Sequence, residues 1–505
     1  MDRETLTRTV LLVIASSAIL FVWQYMINKT APAPIAQPPA IQAPAAPAIP
    51  QTAPEIISEP LPQASQSVQT RLLPISRHLY DIIFDESTGD IVSVSMLKYD
   101  KSSLPPKFTT GGAAPYFSLT AGLEGGYTAE FTDDNRLSFT AETAQVRIEK
   151  SYILTDSYNI PVDIKITNLT DTPIAIPLKA RVGPGLGEQM ESESYVFTGS
   201  MLVKEKEVIK EDEVKSPVSL SNPAWGGNTS KYFLFAVVNG GWEKGEIRQV
   251  GDTTEVVFTN TLTVPGGETV SSPQFSVFSG PKEYKNLKSF GVGLQESIDY
   301  GIFFFIGIPM TTFMNYAYGW VHNYGLAIII LTVIVKIITL PLTLKSMISM
   351  RGMAKLQPEM KELKEKYKEE PQKFSAASME LYKKHKINPL SGCLPMLVQL
   401  PIFFALYKSL LVSIELKGAP FFGWIKDLSV HDPFYITPIL MGASMFLQQK
   451  LTPSTADPTQ QKIFLIMPVV FTIFFLKFQS GLVIYWLTNN ILSIAQQYAI
   501  NKKIK

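Results

Sequence analysis

The sequence predicts a polytopic α-helical membrane protein carrying an all-β domain on one side of the bilayer. Three observations predict it. From about residue 299 onward the chain consists of apolar blocks separated by short polar stretches; residues 67 to 280 instead alternate apolar and polar side chains with a period of two; and one stretch between two apolar blocks is dense in lysine, which fixes its side of the membrane. The 505 residues are 46% hydrophobic with 29 phenylalanines, a composition unlike that of a soluble enzyme. A formal net charge of +1 gives no electrostatic footprint of a nucleic-acid binder. The single cysteine, Cys393, excludes an internal disulfide.

Taken in order, the first element is "TVLLVIASSAILFVWQYMI", Thr9 to Ile27. It has the length of a span and ends without a small-residue cleavage pattern, so residues 1–28 read as an uncleaved signal anchor, with a cleaved signal peptide as the alternative. Residues 29–66 are mostly Pro and Ala with almost no charge. Such a composition buries no core and favours extended polyproline II, hence a semi-rigid tether. Residues 67–283 follow as short alternating runs ("HLYDIIFD", "VRIEKSYILT", "VDIKITNL", "KYFLFAVV") punctuated by "GG", "NG" and "NP" turns, the pattern of an all-β sandwich. In "KEYKNLKSFGVGLQESID" the residues Tyr284, Leu287, Phe290 and Leu294 recur at helical spacing. This predicts an amphipathic helix on the outer membrane surface, and 284–322 as an interfacial region.

Five spans are then expected, at 324–345, 393–414, 433–448, 463–478 and 481–499. The lysine-rich stretch 346–390, read as a helical hairpin broken at "EEPQ", and the terminal "NKKIK" are both cytoplasmic by the positive-inside rule. Parity then decides a further point. With the N-terminus inside, the anchor span puts the β domain outside, and a single further span must precede the basic hairpin. Of the blocks 299–319 and 324–345, the first is interrupted by Pro309 and Asn315, so it lies flat. The count is six spans with both termini in the cytoplasm.

Within "LAIIILTVIVKIITLPLT" the cation Lys336 stands near mid-span, about 13 Å of helix from the cytoplasmic end. A helical side chain leans toward the N-terminus, here the outer side, so snorkelling is poor. A central lysine costs on the order of 3 kcal/mol, which makes a bundle interior or a water-filled cavity the default. The alternative is a structural ion pair, for which the other spans offer no acid at membrane depth. They do offer uncharged polarity: Thr332, Gln399, Gln448, Gln449, Thr488, Asn489, Asn490 and Ser493. Singly each is a helix–helix hydrogen bond; with an unpaired cation they suggest a wet groove. Phe403, Met441, Phe474 and Trp486 are candidates for its apolar wall, against plain core or lipid packing.

Enzymatic readings lack parts. The sequence has no G-x-x-x-x-G-K-[ST], no H-E-x-x-H and no Cys/His metal spacing, and the β domain's one histidine, His78, sits at its edge. No cofactor or metal is expected. A solute transporter or channel with an outward carbohydrate-binding-like module is the alternative class, and it predicts inverted repeats and paired broken helices that are not visible here.

The stretches "NPLSGCLPMLVQLPIFFALYKSL", "DPFYITPILMGASMFLQQKLTP", "DPTQQKIFLIMPVVFTIFFLKFQSGLVIYW" and "IIILTVIVKIITLPLT" closely resemble the YidC-type membrane protein insertases, from about residue 320 to the end. The anchor, tether and β domain match the Gram-negative form. The resemblance implies a β-supersandwich domain in the periplasm, with residues 29–322 periplasmic, and a five-helix insertase core at 323–505. It implies insertion and folding of newly made inner-membrane proteins, alone or beside the Sec translocon, through a cytoplasm-open groove whose charge sits at Lys336. Ribosome or targeting factors are implied partners of the 346–390 hairpin. By position, Thr332, Phe403, Met441, Phe474 and Trp486 match places where the family contacts substrate. Bacterial relatives usually carry Arg at the position of Lys336, and Lys, unlike Arg, can lose its proton when desolvated.

Overall fold

Alternation in the sequence becomes alternation in burial. Along Asn159–Asn168 and Tyr80–Asp85 every second side chain turns inward, as pleated strands with one buried face require. A computed structural model describes residues 55–56, 71–99, 107–108, 115–185, 196–205, 207–368, 370–385, 387, 394–451 and 458–503. The expected anchor span lies outside the described residues. So does the expected tether, apart from Glu55–Ile56, which pairs in parallel with Ile174–Ala175.

Among the described residues the strands form two ten-stranded sheets facing one apolar core; off the main orders, Glu55–Ile56 pairs with Ile174–Val182 and Lys107–Phe108 with Ile91–Met96 in the first sheet, and Thr269–Ser271 with Asn159–Asn168 in the second. One runs in the order Val218–Ser221, Lys244–Val250, Thr253–Val264, Ile174–Val182, Phe117–Ala121, Ile91–Met96, Tyr80–Asp85, Leu72–Ser76. The other runs Glu207–Glu211, Gly199–Lys204, Trp225–Thr229, Phe233–Asn239, Phe275–Pro281, Asn159–Asn168, Val146–Ile153, Arg136–Glu142, Thr128–Phe131. All neighbours along both orders are antiparallel.

Three central strands of the second sheet depart from the alternation the sequence predicts. Trp225–Thr229, Phe233–Asn239 and Phe275–Pro281 are buried at almost every position, because both of their faces are covered. The second cover comes from Leu287, Leu294, Ile298 and Tyr300, together with Leu411, Val412 and Ile414 from the helical region. The segment after residue 283 therefore differs from the single surface helix expected. It is a one-and-a-half-turn helix, α1 (Tyr284–Ser289), ended by Gly291 and Gly293 in the left-handed conformation, with φ of 73° and 83°. Its apolar residues pack on the sheet, Phe290 edge-on to Phe278 with centroids 5.5 Å apart.

Lys282 lies in this seam, 2% exposed, its Nζ donating to Thr229 Oγ1 and the Ser297 carbonyl at 3.1 Å each. Burial, helped by Lys210 and opposed by Asp299, lowers its pKa to about 7. An unfolded lysine titrates near 10.4, so between about pH 7 and 10 the unfolded chain binds more protons, and this group makes stability rise with pH across that window. We expect Lys282→Met to flatten that rise in thermal unfolding of the detergent-solubilised full chain. An unchanged slope would remove the lysine from the account.

The helices follow in order: α2 (Phe304–Val321), α3 (Tyr324–Lys355), α4 (Gln357–Lys366), α5 (Pro371–Lys384), α6 (Leu394–Val412), α7 (Ile436–Leu451), α8 (Pro458–Phe475) and α9 (Ser480–Lys503). Buried residues of α2 recur at helical spacing (Gly307, Met310, Met314, Ala317), while Phe304, Phe305, Tyr316 and Trp320 are exposed. A left-handed His322 (φ 52°) separates α2 from α3, whose first turn is capped by Asn323 Oδ1 accepting from Leu326 N at 3.0 Å. Among the described residues α3 is the one helix long and apolar enough by itself to cross a membrane; Leu397–Val412 and Leu465–Phe475 are shorter apolar helices. The helix α4 ends at Lys366 and α5 begins at Pro371; Met353 near the end of α3, Leu356 ahead of α4 and Leu381 on α5 are buried, while Met379 stays exposed.

A second apolar cluster joins α3 (Ala327, Ile328, Leu331), α6 (Leu406, Leu410), α7 (Met441), α8 (Phe475) and α9 (Tyr485). Where α7 meets α8 there is no room for a side chain: a Cβ on Gly442 would collide with Thr472 Oγ1. Gly442→Ala is therefore expected to cost about 1–3 kcal/mol through overpacking. Adding Thr472→Ala should restore most of it, as read by thermal unfolding in detergent. A Gly442→Ala protein as stable as the parent would contradict the packing.

Candidate functional site

The site is built on α9, where Tyr485, Asn489 and Ser493 follow one another at four-residue spacing and so share one stripe. Each end of that stripe meets a different helix. Toward its N-terminal end Tyr485 OH accepts a 2.8 Å hydrogen bond from Gln399 Nε2 on α6. Two turns further, Ser493 Oγ accepts a 2.7 Å hydrogen bond from Lys336 Nζ on α3 and donates onward to the Asn489 carbonyl at 2.7 Å.

Lys336 is half-buried. Among the described residues no carboxylate lies within ion-pair distance of it, so its ammonium rests on a hydroxyl alone. One hydroxyl leaves two of three ammonium protons for water or another acceptor. Gln399, Asn489 and Ser493 are likewise half-buried, while Tyr485 is buried. Thr332 stands apart from them: it is fully buried, and its hydroxyl donates to the Ile328 carbonyl at 2.7 Å.

Of the four apolar candidates, Phe403 and Trp486 meet edge to face at 4.7 Å, and Phe475 joins Trp486 at 5.3 Å. Phe474 is 55% exposed, touching Phe478 at 4.9 Å. Met441 is wholly buried in the bundle. Two further polar groups of α9 hold helices together: Asn490 Nδ2 donates to Ser444 Oγ at 3.0 Å and Gln497 Nε2 to the Leu451 carbonyl at 2.6 Å.

Sequence reasoning missed three features. Tyr485, partner of Gln399, has its signal in the four-residue step to Asn489. Asp432, ahead of α7, is fully buried, its Oδ1 accepting from Trp424 Nε1 (2.9 Å) and Phe434 N (3.0 Å) and its Oδ2 from Thr437 N (2.8 Å) and Oγ1 (2.7 Å). Burial pushes this carboxyl up, but the four donors outweigh it and hold it below the usual carboxylate range. The third is the ion pair of Lys408 near the end of α6 with Asp299 of the seam, at 3.1 Å. Burial raises the Asp299 pKa, and Lys408, with Lys210 and the Gly301 N–H, more than reverses it.

Two protein families match this chain: "60Kd inner membrane protein" over residues 316–505 and "YidC periplasmic domain" over residues 72–313. A protein of Syntrophus aciditrophicus (strain SB) named "Membrane protein insertase YidC" is 37% identical over 554 residues, covering 100% of each chain. One of the same name from Citrifermentans bemidjiense is 44% identical over 381 residues, covering 73% of this chain and 70% of its own. Among solved structures, "Active YidC insertase crystal structure with the first transmembrane domain resolved" aligns with 85% of this chain and 93% of its own, at 20% identity and a TM-score of 0.41.

Proposed function

The chain belongs to the YidC family of membrane protein insertases, and from that premise we propose that Lys336, with Ser493, Asn489 and Gln399, forms the polar groove through which substrate tails pass. Members of the family are bacterial inner-membrane proteins with a periplasmic domain, and this one is an insertase of newly made membrane proteins and not an enzyme. Six spans with both termini cytoplasmic remain our reading, supported by the charge parity of the basic hairpin. In it α2 lies on the outer membrane surface, with Phe304, Phe305, Tyr316 and Trp320 toward the headgroups. The boundaries 1–28, 29–66, 67–283, 284–322 and 323–505 belong to the same reading. We include the Sec translocon as partner, and ribosome or targeting factors at the hairpin 346–390.

A single observation carries the groove: an ammonium inside an apolar helix bundle whose contact among the described residues is a serine hydroxyl. Lys336 lies twelve residues into α3, about 18 Å along its axis, against a hydrocarbon core about 30 Å thick. A substrate helix of about 20 apolar residues gains roughly 6–12 kcal/mol on entering the bilayer, so no nucleotide is needed. The obstacle is the tail that must cross, at about 2.5–3.5 kcal/mol per aspartate. A cation 4 Å from that aspartate returns about 4 kcal/mol at an effective dielectric of 20, before desolvation. A hydroxyl-tethered lysine gives a contact that also breaks, which a carboxylate-paired one would not.

Purified protein in proteoliposomes should insert single-span substrates without nucleotide. A photocrosslinker at Trp486 or Gln399 should capture them during insertion, and one at the lipid-facing Ile466 should do so far less. Equal capture at all three positions would argue against a defined groove.

A further inference from the structure

We propose that the outward loop joining α6 to α7 is seated in the outer leaflet of the bilayer, holding Phe422, Phe434, Tyr435 and Ile436 against lipid. This rests on the reading of α7 as a span. The observations are exposure, continuity and rigidity. Phe422 and Phe434 are 58% and 64% exposed, more than any ordinary packing position leaves a phenylalanine. Exposed Ile436, Ile439 and Leu440 follow at three- and four-residue spacing, so the apolar stripe on α7 runs into the loop without a polar break.

The loop cannot turn these side chains inward, because its interior is already filled and its backbone already bonded. Ile425 and Leu428 are buried beneath it. Leu428 N donates to the Ala419 carbonyl at 3.0 Å, and Ser480 at the start of α9 binds the Val430 carbonyl through both N (2.7 Å) and Oγ (2.9 Å). Asp432 then locks the following turn through Trp424, Phe434 and Thr437. Tyr435 is held at φ 57°, a left-handed conformation rare for a bulky side chain, with its N–H on the Asp432 carbonyl at 3.1 Å. A bonded backbone that displays Tyr435 outward beside the apolar Phe422, Phe434 and Ile436 fits the interfacial region, where the tyrosine's polar tip meets headgroups and the apolar side chains reach acyl chains. Lys426 is exposed on the stretch between the turns at 423–424 and 428–429, and with the loop so seated it lies on the water-facing side.

The test uses the full chain with Cys393→Ser, carrying single cysteines in place of Phe434, Lys426 or Leu440, spin-labelled and reconstituted in phosphatidylethanolamine and phosphatidylglycerol vesicles. Collision with oxygen, which concentrates in lipid, is compared with collision with a water-soluble nickel chelate. The expected result is oxygen-dominated relaxation at 434 and, more strongly, at 440, with chelate-dominated relaxation at 426. Chelate access at 434 equal to that at 426, with 440 in lipid, would overturn the proposal while leaving the span intact. Shielding of 434 from both reagents would also overturn it, in favour of a protein surface or a second copy as occupant. Chelate access at 440 would instead overturn the reading of α7 as a span.

Discussion

Replacing Lys336 with glutamate is expected to lower insertion of single-span substrates with acidic tails about tenfold or more, and replacing it with arginine to preserve insertion. The glutamate turns an attraction of about 4 kcal/mol at 4 Å into a repulsion of the same size, before screening and desolvation. Even one-third of that difference exceeds the 1.4 kcal/mol that corresponds to a factor of ten. Lys336→Ala should fall between them, because a wet groove without its cation still shortens the apolar path. Substrates whose tails carry no charge should respond least, which separates loss of a charge from loss of a fold. Ser493→Ala makes a useful companion. It removes the hydroxyl on which the ammonium rests and keeps the charge, so its effect should be well under tenfold. The readout is protease protection of the inserted tail in proteoliposomes. Full activity of both Lys336→Ala and Lys336→Glu across acidic-tail substrates would end the charge role.

Asp432→Ala is expected to destabilise the protein by about 3 kcal/mol or more. The carboxylate is fully buried and accepts four hydrogen bonds, from Trp424, Phe434 and twice from Thr437. Removing a buried acceptor leaves each donor with a desolvation cost of about 1–3 kcal/mol where water cannot replace it. Two of the donors stand at the entrance to α7, where losing a cap alone costs about 1 kcal/mol. Asp432→Asn should recover part of the loss, since its amide nitrogen faces donors on one side. The folded-state pKa of Asp432 is depressed, so its stabilisation is present above the ordinary aspartate value, near 3.9, and is lost as pH falls through the depressed one. Thermal unfolding in detergent reads all three expectations. An alanine variant within about 0.5 kcal/mol of the parent would show that the network is decorative.

Much of the fold was legible because periodicity and burial share one cause. A period of two in "VDIKITNL" follows from one wet and one dry sheet face, and the break between α4 and α5 follows from "EEPQ". The same logic failed at "KYFLFAVV", whose strand is buried on both faces by chain that arrives from residues 287–300 and 411–414. No local pattern can announce a cover supplied from so far along the chain. The segment from 284 misled in a related way. Tyr284, Leu287, Phe290 and Leu294 hold helical spacing, but two left-handed glycines end the helix between them.

By itself the sequence determined the class of molecule, the uneven distribution of its charge among apolar blocks and the isolation of a lysine in an apolar run, because hydropathy and charge are properties of residues one at a time. Tertiary structure alone decided which polar groups meet that lysine. Ser493 lies 157 residues away and reaches it, while Thr332, one turn away, faces its own helix and bonds Ile328. Tertiary structure also decided that Asp432 organises the loop between α6 and α7, since its four donors come together only when that loop closes on the start of α7. Hydrogen bonds are short and directional, so partners are settled by helix rotation and packing, which composition and spacing leave open.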